Sequence, residues 1–180
     1  MISEKIKKFI EQNISLLDVN AFDQFYEEAQ LTLMDNRKIA ELTEILLSAE
    51  LDPLKHLDYI PEAYMYNNQD IIKFEIPSHI KRIESKAFCF CGHLKELRIP
   101  ASVSYIDYNA FCGCTALETI YFEPLAIDIE NEAFDQCYHI KEVCFSGTIE
   151  EWQMIMDECY CSELENCPLI SCNDGDIHND

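Results

Sequence analysis

The densest set of reactive side chains lies near the C-terminus, where Cys159, Cys161, Cys167, Cys172 and His178 fall within 20 residues. Thiolate sulfur and imidazole nitrogen together make a zinc ligand set, so a structural zinc site is one reading of this tail. The spacing, C-x-C-x5-C-x4-C, is not the paired CxxC of a zinc ribbon and weighs against the metal. We therefore expect no cofactor, with tail zinc as the lesser alternative. Adjacent carboxylates at Glu150-Glu151 and Asp157-Glu158 have the residue types of an acid–base pair, but nothing nearby desolvates them, and they read as a solvated face. The chain carries no HExxH, no phosphate-loop motif, no GxGxxG and no GxSxG. Its 4 glycines, Gly92, Gly113, Gly147 and Gly175, are too few for a phosphate cradle and read as turn residues. No enzyme is expected.

The elements that must hold these side chains repeat. Phe88, Phe111 and Phe134 are spaced by 23 residues, and Ala87, Ala110 and Ala133 keep the same phase. So do Cys91, Cys114 and Cys137; Leu94, Leu117 and Ile140; Leu97, Ile120 and Val143; Ile99, Phe122 and Phe145; and Ile83, Ile106 and Ile129. One step back, Ile60, Met65, Asn68, Ile71, Phe74, Ile76 and Pro77 form a degraded first copy. Leu97 and Ile99 alternate with Glu96 and Arg98, the period of a strand with one buried face. A unit this small cannot bury its own apolar face, so neighbours must stack and the ends need caps. Cys91, Cys114 and Cys137 then read as small buried hydrophobes. Cys89 and Cys112 are stacked neighbours off that core position, where metal is again the lesser reading. His93 and His139 share one repeat position two copies apart, about 10 Å from each other, and cannot form one site.

The pattern of IESKAFCFCGHLKELRIPASVSYI and IDYNAFCGCTALETIYFEPLAIDI resembles the BspA-type leucine-rich repeat over residues ~58–177. GTIEEW (Gly147 to Trp152) and CNDGDI (Cys172 to Ile177) are similar to the terminal cap of such arrays, which also accounts for Cys172. Trp152 is then expected to plug the end of the core. Pro124 falls one place late and Ala126 replaces the usual Val or Ile, so the third turn is expected to be loosely packed.

Ahead of the repeats, three apolar stripes have helical spacing. They are Ile2, Ile6, Phe9 and Ile10 behind Ser3; Phe22, Phe25, Tyr26 and Ala29; and Ile39, Leu42, Ile45 and Leu46 behind Asp35 and Asn36. Asp52-Pro53 ends the third. The expected fold is α+β: a helical N-terminal cap at 1–57, a short solenoid of about four 23-residue repeats at 58–146, and a C-terminal cap with an acidic Cys-rich tail at 147–180.

The solvent side of the strands is the expected partner-binding face. It carries Lys73, Glu75, Glu96, Arg98, Thr119, Tyr121 and Glu142, with Glu150 and Glu151 just beyond. Residues 101–180 hold 17 Asp or Glu against the single Lys141, a net of −16 out of −21. Such a half repels nucleic acid and anionic membrane and suits a basic protein partner, although the same acidity could serve solubility alone. The N-terminal MISEKIKKFIEQN has no apolar export core, and no run approaches the roughly 18 apolar residues of a membrane helix, so a cytoplasmic location is expected. The helical start followed by LDPLKHLDYIPE is similar to small repeat proteins of bacteriophages and mobile elements. That resemblance implies an inhibitor of a host defence nuclease, of the anti-CRISPR type. The alternative it leaves is the surface adhesion role of longer BspA-type proteins.

Overall fold

The computed structural model describes residues 4–13, 22–123, 126–159 and 161–179, and of Phe22 and Asp23 the backbone alone. Ile2, Ser3, the Phe22 side chain and Pro124 therefore lie outside the described part.

Three helices open the chain: α1 (Glu4–Asn13), α2 (Phe22–Leu33) and α3 (Asn36–Ser48). Each buries its apolar stripe against the others, with Ile6, Phe9, Phe25, Tyr26, Ala29, Ile39, Leu42 and Leu46 sealed from solvent. Asp35 caps α3 by accepting from the Arg37 N–H at 3.0 Å. Thr43 is the buried polar side chain of this core, and it is satisfied. Its hydroxyl donates to the Ile39 carbonyl (3.2 Å), which leaves the Tyr26 hydroxyl to donate to Thr43 Oγ1 (3.0 Å). Leu57 and Ala63, from the start of the repeats, join the same cluster, so the helices sit on the first coil. Asp52 then caps a 3-10 turn at Pro53–Lys55.

Each of the four coils that follow contributes a short and a longer strand, and a fifth longer strand comes after them. The short ones are β1 (Tyr59–Ile60), β3 (Arg82–Ile83), β5 (Tyr105–Ile106) and β7 (Asp128–Ile129); they pair in parallel in the order β1-β3-β5-β7. The longer ones are β2 (Lys73–Glu75), β4 (Glu96–Ile99), β6 (Thr119–Phe122), β8 (Glu142–Phe145) and β9 (Leu169–Cys172). They too run parallel in register, and β10 (Gly175–His178) closes this sheet antiparallel to β9. Within β4, β6 and β8 the residues alternate half-buried and buried, as a strand with one buried face must.

Between the sheets the in-phase residues stack on their own kind. Phe88, Phe111 and Phe134 form a column with centroids 5.2 and 5.0 Å apart and planes within 5° and 13° of parallel. That spacing is set by strand separation, about 4.8 Å. Beside it, the Cys91, Cys114 and Cys137 thiols donate to the carbonyls of Met65, Phe88 and Phe111 at 3.1, 3.2 and 3.2 Å. They are structural core thiols.

Two backbone positions per coil are left-handed: Ala63, Lys86, Asn109 and Glu132 at one, Asn67, Phe90, Gly113 and Gln136 at the other. Asn and Gly suit such angles; Lys86, Glu132 and Gln136 accept them because stacking of the coils over-determines the turn. At Gly113 a Cβ would lie 2.5 Å from the Phe90 ring, so a side chain there would force that ring to shift.

The regular 23-residue spacing breaks at Gly147, where a Cβ would meet the Phe145 ring at 2.5 Å. Thr148 then starts α4 (Ile149–Glu158), followed by the short α5 (Ser162–Glu165). Trp152, 2% exposed, packs on Phe122 and Phe145 with centroids at 5.6 and 5.3 Å, and plugs the core as expected. Asp174 accepts from the Ile149 N–H (2.9 Å) and Asn173 bonds the Ser146 carbonyl. The two sequence segments that resemble a cap thus meet. In the third turn, at the edge of the short sheet, Ile129 is 7% exposed where Ile83 and Ile106 are fully buried, and Ala126 is exposed.

Candidate functional site

The outward positions of the long strands form two columns. Strand pairing lines up Lys73, Glu96, Thr119 and Glu142, and beside them Glu75, Arg98, Tyr121 and Cys144. Seven of the nine residues expected to meet a partner therefore share one face. Ion pairing knits its early part: Lys73 pairs with Glu96, and Arg98 with Glu123 at 3.0 Å. The Arg98 guanidinium lies over the Tyr121 ring, 4.4 Å from its centroid. A shallow groove of about 220 Å³ runs between Lys73, Glu75, Arg98 and Tyr121. Lys73 has its ammonium pKa raised by the Glu96 carboxylate that accepts from it.

Glu150 and Glu151 do not belong to this face; both sit in the first turn of α4. Glu150 is exposed, but Glu151 is not a free carboxylate. It accepts from the Thr148 N–H at 2.8 Å while Thr148 Oγ1 accepts from the Glu151 N–H at 3.2 Å, a reciprocal capping box. Thr148 three places before Glu151 was the signal that identifies it. Glu123, which holds Arg98, and Ser171 and Asp176, which extend the outward face over β9 and β10, were not anticipated.

The tail ligand set is not brought together. Among the described residues, no three His, Cys, Asp or Glu side chains gather so as to hold a metal ion. Antiparallel pairing sets His178 opposite Leu169 on the exposed side, whereas Cys159, Cys161 and Cys167 are buried in the core cluster and Cys172 packs against it. Cys159 and Cys161 interact: hydrogen bonding between the two thiols pushes Cys161 up and draws Cys159 down. Cys167 donates to the Leu169 carbonyl at 3.3 Å. Off the core column, burial pushes the Cys89 thiol up to about 12 and raises Cys112 as well. Cys144, on the outward face, is pushed up to about 11 by burial and by Glu142. These are poor nucleophiles at neutral pH. His93 Nδ1 meets the Gln69 carbonyl at 2.7 Å rather than a thiol. Among the described residues no helix is long and apolar enough to cross a membrane.

The family model of the BspA type leucine rich repeat region matches residues 58–173, in six copies. No curated protein and no solved structure matches the chain. The match, in six copies, corrects the expected count of about four, whose array was expected to end at 146. Beyond that point β9 still adds in parallel to β8, pairing Leu169 with Glu142, so one more strand of the ladder lies within the segment read as cap. With repeat phase, stacked columns and family match in agreement, the chain belongs to the BspA-type leucine-rich-repeat proteins.

Proposed function

We propose that the chain is a non-enzymatic binding protein that inhibits a basic, nucleic-acid-handling partner, as a phage-encoded inhibitor of a defence nuclease of the CRISPR type would. In this reading residues 1–57 cap a short solenoid at 58–146, residues 147–180 close its other end, and the protein works in the cytoplasm of the host cell. Leucine-rich repeats are protein-interaction modules, which supports a protein partner. The observation that carries the charge of that partner is the unpaired acid. Of the carboxylates in residues 101–180, Glu118 and Glu123 face a cation within ion-pair distance among the described residues, and the others face none. A body of this charge competes for a groove built to hold DNA or RNA and itself repels nucleic acid.

The test is association with candidate defence nucleases across a salt series, with loading of DNA or guide RNA as the readout. Association should slow as salt rises toward about 0.5 M, where charges are screened beyond about 4 Å. Replacing Glu142 and Glu150 by Lys should weaken binding; Glu151 is left out because it caps α4. Binding indifferent to salt and to these substitutions would leave the acid a solubility device. A surface adhesin would instead bind host-surface proteins and no nuclease.

A further inference from the structure

The two sheets do not end alike. The long sheet is extended past β8 by β9 and β10, but the short sheet stops at β7, because the chain turns into α4 where its next strand would start. Along the short sheet the carbonyls of Ile60, Ile83 and Ile106 accept, each at 2.9 Å, from the N–H groups of Glu84, Asp107 and Glu130 in the next coil. Ile129 is the next carbonyl in that series, and no described N–H reaches it; the same holds for Ile127. Instead, a cleft of about 360 Å³ separates this edge from α4. Its apolar lining includes Ile127, Ile155 and Met154, the last 63% exposed. Its rim is acidic, with Asp128 and Glu158 and, in the adjoining hollow, Glu130. None of the three faces a cation within ion-pair distance among the described residues.

We infer that this cleft is a docking groove for an extended basic segment of a partner protein, which adds to β7 as a fifth strand of the short sheet. Strand-edge carbonyls that no described N–H meets call for backbone N–H groups, the rim calls for Lys or Arg, and the apolar lining takes the alternate apolar side chains. A second copy of this chain does not suit the groove. Its own β7 edge brings acid against acid, and at β1 the residue Tyr59 is packed against the helices. The inference rests on the reading that the partner is basic and says where that partner is held.

A labelled peptide of alternating Lys and Val is the probe, titrated into the isotope-labelled full chain with backbone amide shifts as readout. Shifts should centre on Ile127–Glu130 and on Met154–Glu158. The same peptide N-methylated at every second residue, which removes its edge N–H groups, should bind at least about tenfold more weakly. Asp128→Lys combined with Glu158→Lys should also weaken binding about tenfold while the spectrum stays dispersed. Shifts centred on Thr119–Phe122 and Glu142–Phe145, or affinity unchanged by N-methylation, would overturn the groove and leave the basic-partner reading standing. Absence of binding also overturns the groove, and the nuclease salt series then decides the wider reading by itself.

Discussion

Phe111 shows how one side chain carries the stack. Its ring is fully buried between Phe88 and Phe134, in near-parallel contact with both, so no neighbour can move into its place without leaving its own column. Phe111→Ala should destabilise the protein by about 3–5 kcal/mol, read as a lower denaturant midpoint at constant slope. A loss under about 1 kcal/mol would mean that the site can collapse, which the stacked geometry denies it. The repeat cysteines act in the same way on a smaller scale. Each fills the space beside a ring and turns its thiol onto the carbonyl of the preceding coil, so a residue type associated with chemistry here serves packing.

Among the elements, α4 decides where the 23-residue phase breaks. It starts at once after the last in-phase strand, held by Thr148 and Glu151 on its own side and by Asp174 from the closing turn. Thr148→Ala removes the cap and should cost about 1 kcal/mol, measured by thermal unfolding. Glu150→Lys, one residue from Glu151 but exposed and without a cap bond, should change stability by no more than about 0.5 kcal/mol. Equal losses for the two would show that the capping box does not anchor the helix. The same helix stands where a strand beyond β7 would start, so the break in the 23-residue phase and the open edge of the short sheet have one cause.

Over the whole molecule, charge opposes compaction. The chain bears a net −21, and the six ion pairs described are all at or near the surface, where each contributes little. Screening therefore relieves more repulsion than it removes attraction. Raising salt from about 0.02 to 0.5 M should raise the melting temperature by several degrees, a sign opposite to that of partner association in the same series. A melting temperature that falls with salt would show that the ion pairs outweigh the self-repulsion.

The 23-residue phase determined by itself that Phe, Cys, Leu and Ile positions stack in columns, and which strand residues face outward, because a unit too small to bury its face has one way to do so. Helical spacing determined the buried stripes of the N-terminal region in the same manner. Three things were decided only in the tertiary structure. Lys86, Glu132 and Gln136 adopt left-handed angles that their residue types do not favour, because contacts from adjacent coils outweigh local preference. The tail cysteines and His178 look like one ligand set in sequence, yet β10 holds the imidazole on the exposed side, while Cys159, Cys161 and Cys167, in the segments that flank α4 and α5, are buried in the core. Glu150 and Glu151 look equivalent, yet the first turn of a helix gives its third residue the reach to the cap N–H and leaves the second outside it. Spacing along the chain sets which residues can meet, but which way each side chain points depends on the elements beside it.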